Sequence, residues 1–159
     1  RELQSEKLVL KQKPKKKHPY YVSNTQHSHY KATKQVAGLN NLLHSTLLFW
    51  LKQLSATTVI IFGSFATGRW NVHSDVDIFI YGATDSLDVR LLEQQLSRSI
   101  DVFQAKSSKD LRSFSPKLLK NIISGIVISG TLPDELVKLS EKKQSETRVR
   151  QLLEKKYDI

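Results

Sequence analysis

The chain has 159 residues, of which 39% are hydrophobic and 25% are charged, so it can bury one core of ordinary size, or a small domain with an appendage. It contains no Cys, which excludes disulfides and thiolate metal sites. The net charge of +10 is uneven, because residues 1–34 carry nine Lys or Arg against two Glu. This asymmetry indicates a basic module joined to a nearly neutral one.

The composition also bounds where the protein acts. No apolar run approaches the roughly 20 residues that span a bilayer, and no secretory signal opens the chain. Together with the lack of Cys, this leads us to expect a cytoplasmic protein with no membrane association. Because the chain begins at Arg1 and contains no Met, we expect its natural start to be missing.

The first element is a predicted β-hairpin with a basic tip. Residues 6–12 and 18–24 suit short strands, and a lysine-rich turn lies between them. This pattern resembles the wing of a winged helix-turn-helix domain, a family in which the wing reaches DNA. The resemblance implies that the tip neutralises DNA phosphates through Lys13, Lys15, Lys16 and Lys17. A disordered basic tail or a solvated loop is the alternative.

The next element is predicted as one long helix over residues 30–54. Apolar residues recur there at steps of three and four: Val36, Leu39, Leu42, Leu43, Leu47, Trp50, Leu51 and Leu54. We expect this helix to link the basic hairpin to the rest of the chain. The predicted division is therefore a hairpin at 1–29, a linking helix at 30–55 and a further domain at 56–159.

The most informative pattern combines two apolar runs, a small turn and two acids. Residues 59–62 read as a buried strand that ends in Gly63 and Ser64. Ten residues separate Ser64 from Asp75, and Asp75 and Asp77 lie at the start of a second apolar run. Alternate residues of a strand share a face, so these carboxylates would repel each other unless a cation lay between them. Mg²⁺ prefers such oxygen ligands, although an isolated Asp-x-Asp at a strand edge is more often solvated.

This segment resembles the G-S-x10-D-x-D signature of the DNA polymerase β-like nucleotidyltransferases, and within them the minimal nucleotidyltransferases of archaea and bacteria. Gly63, Ser64, Asp75 and Asp77 match the signature, and Ser74 is the frequent Ser before the first acid. The resemblance covers roughly residues 56 to 131. It implies an α/β fold with a mixed sheet flanked by helices, a Mg²⁺ or Mn²⁺ cofactor, and ATP or another nucleoside triphosphate as substrate.

The resemblance also implies roles for individual residues. It assigns metal binding and catalysis to Asp75, Asp77 and a third acid, Asp101, which lies in a short apolar run. It assigns nucleotide binding to Gly63, Ser64, Arg69 and Ser74. Many relatives have Arg where this chain has Thr67, and Arg69 is the candidate to compensate. We expect a helical turn over residues 65–69, while Trp70 either stacks on a base or packs on the loop.

The remaining pattern predicts a helix over 87–97 with Leu87, Leu91, Leu92 and Leu96 facing inward, a helix over 109–124, a short strand at 126–128 and a last helix from Pro133. Pro116 marks either an interruption or a start within the second of these helices. Functionally, we expect transfer of a nucleoside monophosphate, AMP from ATP before others, to a hydroxyl acceptor by a two-metal mechanism. The alternatives are a DNA-binding regulator that uses the fold as sensor or scaffold, and an antitoxin with a helical toxin-type protein partner.

Overall fold

A computed structural model describes residues 2–15, 17–83 and 87–157. The N-terminal part contains α1 (Glu2–Ser5), β1 (Val9–Gln12), β2 (Tyr20–Ser23), α2 (Ser28–Leu43) and α3 (Thr46–Gln53). The remainder contains β3 (Thr58–Phe62), α4 (Gly63–Ala66), β4 (Val76–Tyr81), α5 (Val89–Leu96), β5 (Ile100–Ala105), α6 (Ser108–Leu111), α7 (Pro116–Ile123), β6 (Ile126–Gly130) and α8 (Asp134–Tyr157). The order of strands and helices is that of an α/β protein.

The central sheet has four strands in the order β5-β4-β3-β6. Strand β3 is antiparallel to both β4 and β6, whereas β4 and β5 are parallel and are joined by the crossover helix α5. The two central strands are apolar along most of their length because helices cover both of their faces. The mixed sheet flanked by helices confirms the predicted fold class.

Two cores lie on opposite faces of this sheet. Val59 and Ile61 of β3 point to the face covered by α2, α3 and α5, whereas Ile60 and Phe62 point to the face covered by α6, α7 and the start of α8. This alternation is the period of two that a strand imposes on its side chains. On β4, Phe79 belongs to the second face, and Asp77 shares that face because it lies two residues earlier.

The predicted basic hairpin is present. Strands β1 and β2 pair antiparallel, and the Tyr20 hydroxyl donates to Gln12 Oε1 at 2.7 Å. At the tip, Lys13, Lys15 and Lys17 are exposed, and Lys16 lies outside the described residues. The segment is therefore an ordered hairpin rather than a disordered tail, while DNA binding by its tip stays a prediction.

The prediction of a single helix over residues 30–54 is wrong. The segment forms α2 and α3, separated at Ser45, whose hydroxyl accepts from the Leu47 N–H at 3.3 Å and donates to the Leu42 carbonyl at 2.5 Å. A side-chain cap of this kind begins a new helix by satisfying a free N–H group. Val36 and Trp50 are 58% and 43% exposed, so these two residues of the predicted stripe are not in the core.

The predicted helix over 109–124 is also two helices. Ser115 caps α7 by accepting from the Leu118 N–H at 3.1 Å, and Pro116 occupies the first turn, where its missing N–H is not needed. Pro116 is thus a start and not an interruption. On α5, Leu91 is 40% exposed although the pattern predicted it to face inward.

The last helix, α8, is anchored at its beginning and exposed further on. Tyr81 at the end of β4 donates to Glu135 Oε2 at 2.6 Å, and Leu136 and Ser140 are buried. Beyond Ser140 its described side chains are mostly exposed. Within the described ranges, the structure contains no helix with the combination of length and apolarity that crossing a membrane requires.

Candidate active site

Two of the three acids singled out by the sequence lie side by side on the sheet. Asp77 near the start of β4 is in register with Asp101 near the start of β5, and on its other side it pairs with Phe62 at the end of β3. Residues in register project to the same face of a sheet. Asp75 lies two residues before Asp77, just outside the strand, and its side chain is exposed. The pairing thus brings Asp77 and Asp101 together at one edge of the second core.

The turn after β3 fits closely against Asp77. Gly63 has a φ of +70°, and a Cβ added there would overlap Asp77 Oδ2. A side chain at this position would be strained by the backbone conformation and would displace the neighbouring carboxylate. This left-handed residue lets the chain enter α4 directly from the strand. The helical turn expected over 65–69 is consequently misplaced: it spans Gly63–Ala66.

Thr67, the residue at which the chain departs from the family pattern, stabilises this turn. Its hydroxyl donates to the Gly63 carbonyl at 2.9 Å and accepts from Arg69 Nε at 3.1 Å. The Arg69 N–H in turn donates to the Ser64 carbonyl at 2.9 Å. The Arg69 side chain is exposed, so the turn keeps a cation at its surface even though Arg does not occupy position 67.

Ser74 shapes the loop that carries the first acid. Its hydroxyl accepts from the Asn71 N–H at 2.8 Å, and its own N–H donates to the Asn71 carbonyl at 3.1 Å. These two bonds close a tight turn immediately before Asp75. The Ser74 hydroxyl retains its hydrogen for a further bond, since it acts only as an acceptor in this turn.

The electrostatics of the site centre on Asp77, which is half-buried. Burial raises the pKa of its carboxyl above the ordinary value of 3.8, and the negative charges of Asp101 and Asp75 raise it further. A hydrogen bond from the Ser64 backbone N–H acts in the opposite direction. Asp75 and Asp101 are therefore both close enough to influence Asp77, and the turn supplies an N–H donor to the same carboxylate.

The chemistry of this donor set fits a hard divalent cation. Three carboxylates offer only oxygen ligands, and their mutual repulsion is the condition that such a cation relieves. The side chains are not closed into a preformed cage, because within residues 2–15, 17–83 and 87–157 no group of three or more His, Asp or Glu side chains has the arrangement of a metal site. Metal binding by Asp75, Asp77 and Asp101 therefore stays a prediction.

Sequence reasoning missed the residue that holds the loop before Asp75. Arg98 Nη1 donates to three carbonyls of this loop, those of Asn71 at 2.9 Å, Val72 at 3.2 Å and Ser74 at 3.1 Å. Its guanidinium also lies 5.4 Å from the centre of the Phe65 ring. Arg98 follows α5 and is distant from the signature along the chain, so no local spacing connects it to the loop.

Helix α2 supports the same loop from the other side. Trp70 stacks on Phe65 with ring centroids 5.4 Å apart, and its Nε1–H donates to the Lys34 carbonyl at 2.7 Å. Gln35 Nε2 donates to the Ala66 carbonyl at 2.7 Å. A Cβ at Gly38 would overlap Trp70 Nε1, so the ring lies directly against the helix. Of the two alternatives for Trp70, the structure favours packing on the loop.

Comparison with known proteins places this site in a family context. The family model described as "Polymerase beta, Nucleotidyltransferase" matches residues 50–132, which is more than half of the chain. No protein with a curated description matches the chain.

The chain is also similar to several solved structures. One, described as a toxin-antitoxin with AMP-PNP, is 23% identical with a TM-score of 0.45 and covers 74% of this chain and 93% of its own. Two mutants of the toxin-antitoxin MntA-HpeT are 20% and 23% identical, each with a TM-score of 0.41. They cover 77% and 79% of this chain and 93% of their own.

Proposed function

The chain belongs to the polymerase beta nucleotidyltransferase family, and we propose that it transfers a nucleoside monophosphate, AMP from ATP before others, to a hydroxyl group of an acceptor. The observation that carries this proposal is the register of Asp77 with Asp101 beside the Gly63–Ser64 turn, inside the segment that matches the family. A glycine turn that carries a serine hydroxyl suits a phosphate, and paired carboxylates suit the cations that accompany a triphosphate.

Each side chain has a role in this proposal. Gly63 lets the backbone approach a phosphate oxygen, and the Ser64 and Ser74 hydroxyls and Arg69 donate to the triphosphate. Asp75, Asp77 and Asp101 would hold Mg²⁺ or Mn²⁺, which when bound neutralises triphosphate charge and stabilises the attacking and leaving oxygens. The acceptor oxygen bonds to the α-phosphorus, the bond to the bridging oxygen breaks, pyrophosphate leaves, and the acceptor proton passes to the Asp101 carboxylate.

The test combines binding with transfer. Calorimetric titration of the full chain with Mg²⁺ and each nucleoside triphosphate measures binding, and release of pyrophosphate measures transfer. We expect the variant Asp77→Asn to reduce transfer to the background rate while the fold stays intact. The matched control is Asp88→Asn, an acid that caps α5 away from the site. Transfer at the wild-type rate by Asp77→Asn would refute the assignment.

A second function is favoured by a specific observation: the hairpin tip presents exposed lysines. In this alternative the chain is a DNA-binding regulator whose nucleotidyltransferase fold acts as sensor or scaffold. Binding through phosphates weakens steeply as salt rises. No duplex binding by the full chain at low salt would remove this alternative. A helical toxin-type protein partner stays a prediction from the sequence.

A further inference from the structure

A cleft of about 260 Å³ lies between the start of α2 and the loop that follows α4. Its wall carries three cationic side chains, Lys31, Lys34 and Arg69, together with Gln26 and Tyr30, and among the residues that the structure describes no carboxylate lines it. A concave surface with charge of one sign concentrates ions of the opposite sign. The cleft therefore has the composition of an anion site.

The two walls of the cleft are held together by a close backbone contact. Gly68 has a φ of +66°, and a Cβ added there would overlap the Lys31 carbonyl oxygen. Only glycine allows the loop to approach α2 so closely. As a result, Arg69, whose side chain is exposed, is held in the same cleft as the two lysines of α2.

The positive charges of the cleft are not neutralised by acids. Lys31 Nζ donates to Gln26 Oε1 at 3.4 Å, and Arg69 uses its Nε for Thr67. Lys34 Nζ donates to the Trp70 carbonyl and lies 4.5 Å from the centre of the Trp70 ring. The ion pair recorded for the described part of the chain joins His29 and Glu6, so none of these three cations has a carboxylate partner there.

The cleft lies between two features already described. On one side, the Arg69 N–H donates to the Ser64 carbonyl, which belongs to the candidate phosphate turn. On the other side, Thr25 and Gln26 in the wall follow almost directly after β2 of the basic hairpin, which ends at Ser23. The cleft thus lies between the base of the basic hairpin and the candidate phosphate turn.

We propose that this cleft binds phosphate groups, and that their source is the backbone of a nucleic-acid strand that also contacts the hairpin. The second source of the same chemistry is the triphosphate of the nucleotide. Phosphate binding needs only the cations of the cleft. If the bound nucleic-acid strand also supplies the acceptor hydroxyl, that role rests on the function proposed above. Strands β1 and β2 are each four residues long, about 13 Å. A single nucleic-acid strand can therefore contact both the cleft and the tip of the hairpin.

The test uses the full chain and the variant Lys31→Gln, with Lys31→Arg to restore the charge and Lys52→Gln, an exposed lysine on α3, as matched control. Anisotropy of a labelled single-stranded oligonucleotide, without nucleotide, measures strand binding at several salt concentrations. Calorimetry with Mg²⁺ and ATP measures triphosphate binding. Melting temperatures of all variants check that they fold.

We expect Lys31→Gln to weaken strand binding and to lower the slope of log affinity against log salt by about 1, as for one lost phosphate contact. Lys31→Arg should restore both, and Lys52→Gln should change neither. Loss of triphosphate binding alone would keep the phosphate cleft and overturn the strand as its source. Unchanged binding of both ligands would overturn the cleft. A chain that binds the strand but transfers nothing would leave the cleft in place and remove its link to the reaction.

Discussion

Asp77 combines two conditions that disfavour the ionised form of its carboxyl: it is half-buried, and it has two acidic neighbours. Its pKa in the folded chain is therefore higher than in the unfolded chain, so the folded state holds the proton more tightly. The contribution of this group to stability consequently falls as pH rises above 3.8 and through the raised pKa.

This leads to a prediction about pH. In buffer with a chelator, Asp77→Asn should unfold at a higher urea concentration than the wild type at neutral pH, because the variant avoids ionising this position. The difference should shrink as pH falls through the raised pKa and vanish below 3.8, where the carboxyl becomes protonated in both the folded and the unfolded state. Urea denaturation of both proteins across this range is the measurement. A wild type that gains stability relative to the variant as pH rises would contradict the raised pKa.

Gly63 is the second residue whose identity the geometry dictates. We expect Gly63→Ala to cost about 1–3 kcal/mol of folding free energy because of its left-handed backbone. It should also abolish transfer, because the new Cβ displaces the Asp77 carboxylate. Gly82→Ala is the matched control, since Gly82 has a φ of +100° at the opposite end of β4. The control should lose stability but keep its activity per folded molecule, and equal activity of the two variants would count against the assigned role of Gly63.

Residues differ in how well the sequence predicts their surroundings. The acid in the run Ile100-Asp101-Val102 was readable because alternation with apolar residues indicates a strand, and the observed register puts Asp101 beside Asp77. Arg98 and Gly38 gave no such signal. Their contacts depend on how separate elements pack, which local spacing does not encode.

At the scale of elements, the loop between α4 and β4 has little regular structure of its own and is held by its neighbours. Arg98 gathers three of its carbonyls through one nitrogen, and α2 contacts it through Trp70. Because Asp75 directly follows this loop, the position of that carboxylate depends on an arginine more than twenty residues away along the chain.

We therefore expect Arg98→Ala to lower the free energy of unfolding by about 1.5–3 kcal/mol, the range for hydrogen bonds that involve a charged group. Amide hydrogen exchange over residues 71–75 should become faster, because the loop loses its anchor. Arg98→Lys should recover only part of the loss, since an ammonium cannot reproduce the planar guanidinium.

The control for this prediction is Arg90→Ala, an exposed arginine on α5. That change should alter neither stability nor exchange. If Arg98→Ala leaves exchange over the loop as slow as in the wild type, the loop is held by its other contacts and the prediction is wrong.

The elements also show where pattern reasoning failed. Apolar spacing is continuous across residues 36–54, so it predicted one helix, and the cap at Ser45 that divides it is a single hydroxyl. The apolar parts of β3 and β4 could be predicted because helices on both faces require unbroken apolar runs. The expectation that Asp75 lies on the same strand as Asp77 is wrong, because β4 begins at Val76. Exposure of Leu91 on α5 reflects which parts of the helix the neighbouring elements cover, and the periodicity of one helix does not contain that information.

In the molecule as a whole, positive charge is concentrated in residues 1–34, which include the hairpin. We predict that replacing Lys13, Lys15 and Lys17 together by Gln weakens nucleic-acid binding at low salt and lowers the slope of log affinity against log salt by up to about 3, one for each phosphate contact. Nucleotide transfer to a small acceptor should not change, because the tip is separate from the acids. Anisotropy and pyrophosphate release are the two measurements.

The matched control for the triple variant replaces Lys117, Lys120 and Lys142 by Gln, which removes the same formal charge from α7 and α8. It should leave the salt slope unchanged. Equal loss of binding in both triple variants would mean that net charge, and not the hairpin, attracts the nucleic acid.

Four residues separate the end of β2 from the start of α2, and Gly38 of this helix lies directly against Trp70. A ligand that binds the hairpin and shifts this helix would also shift the loop that precedes Asp75. Thermodynamic linkage makes the effect of each ligand on the equilibrium affinity for the other reciprocal. If a ligand bound to the hairpin increases the affinity for ATP, then ATP must increase the affinity for that ligand by the same factor. The binding equilibria of the hairpin and of the nucleotide site would in that case be coupled, whichever of the two ligands binds first.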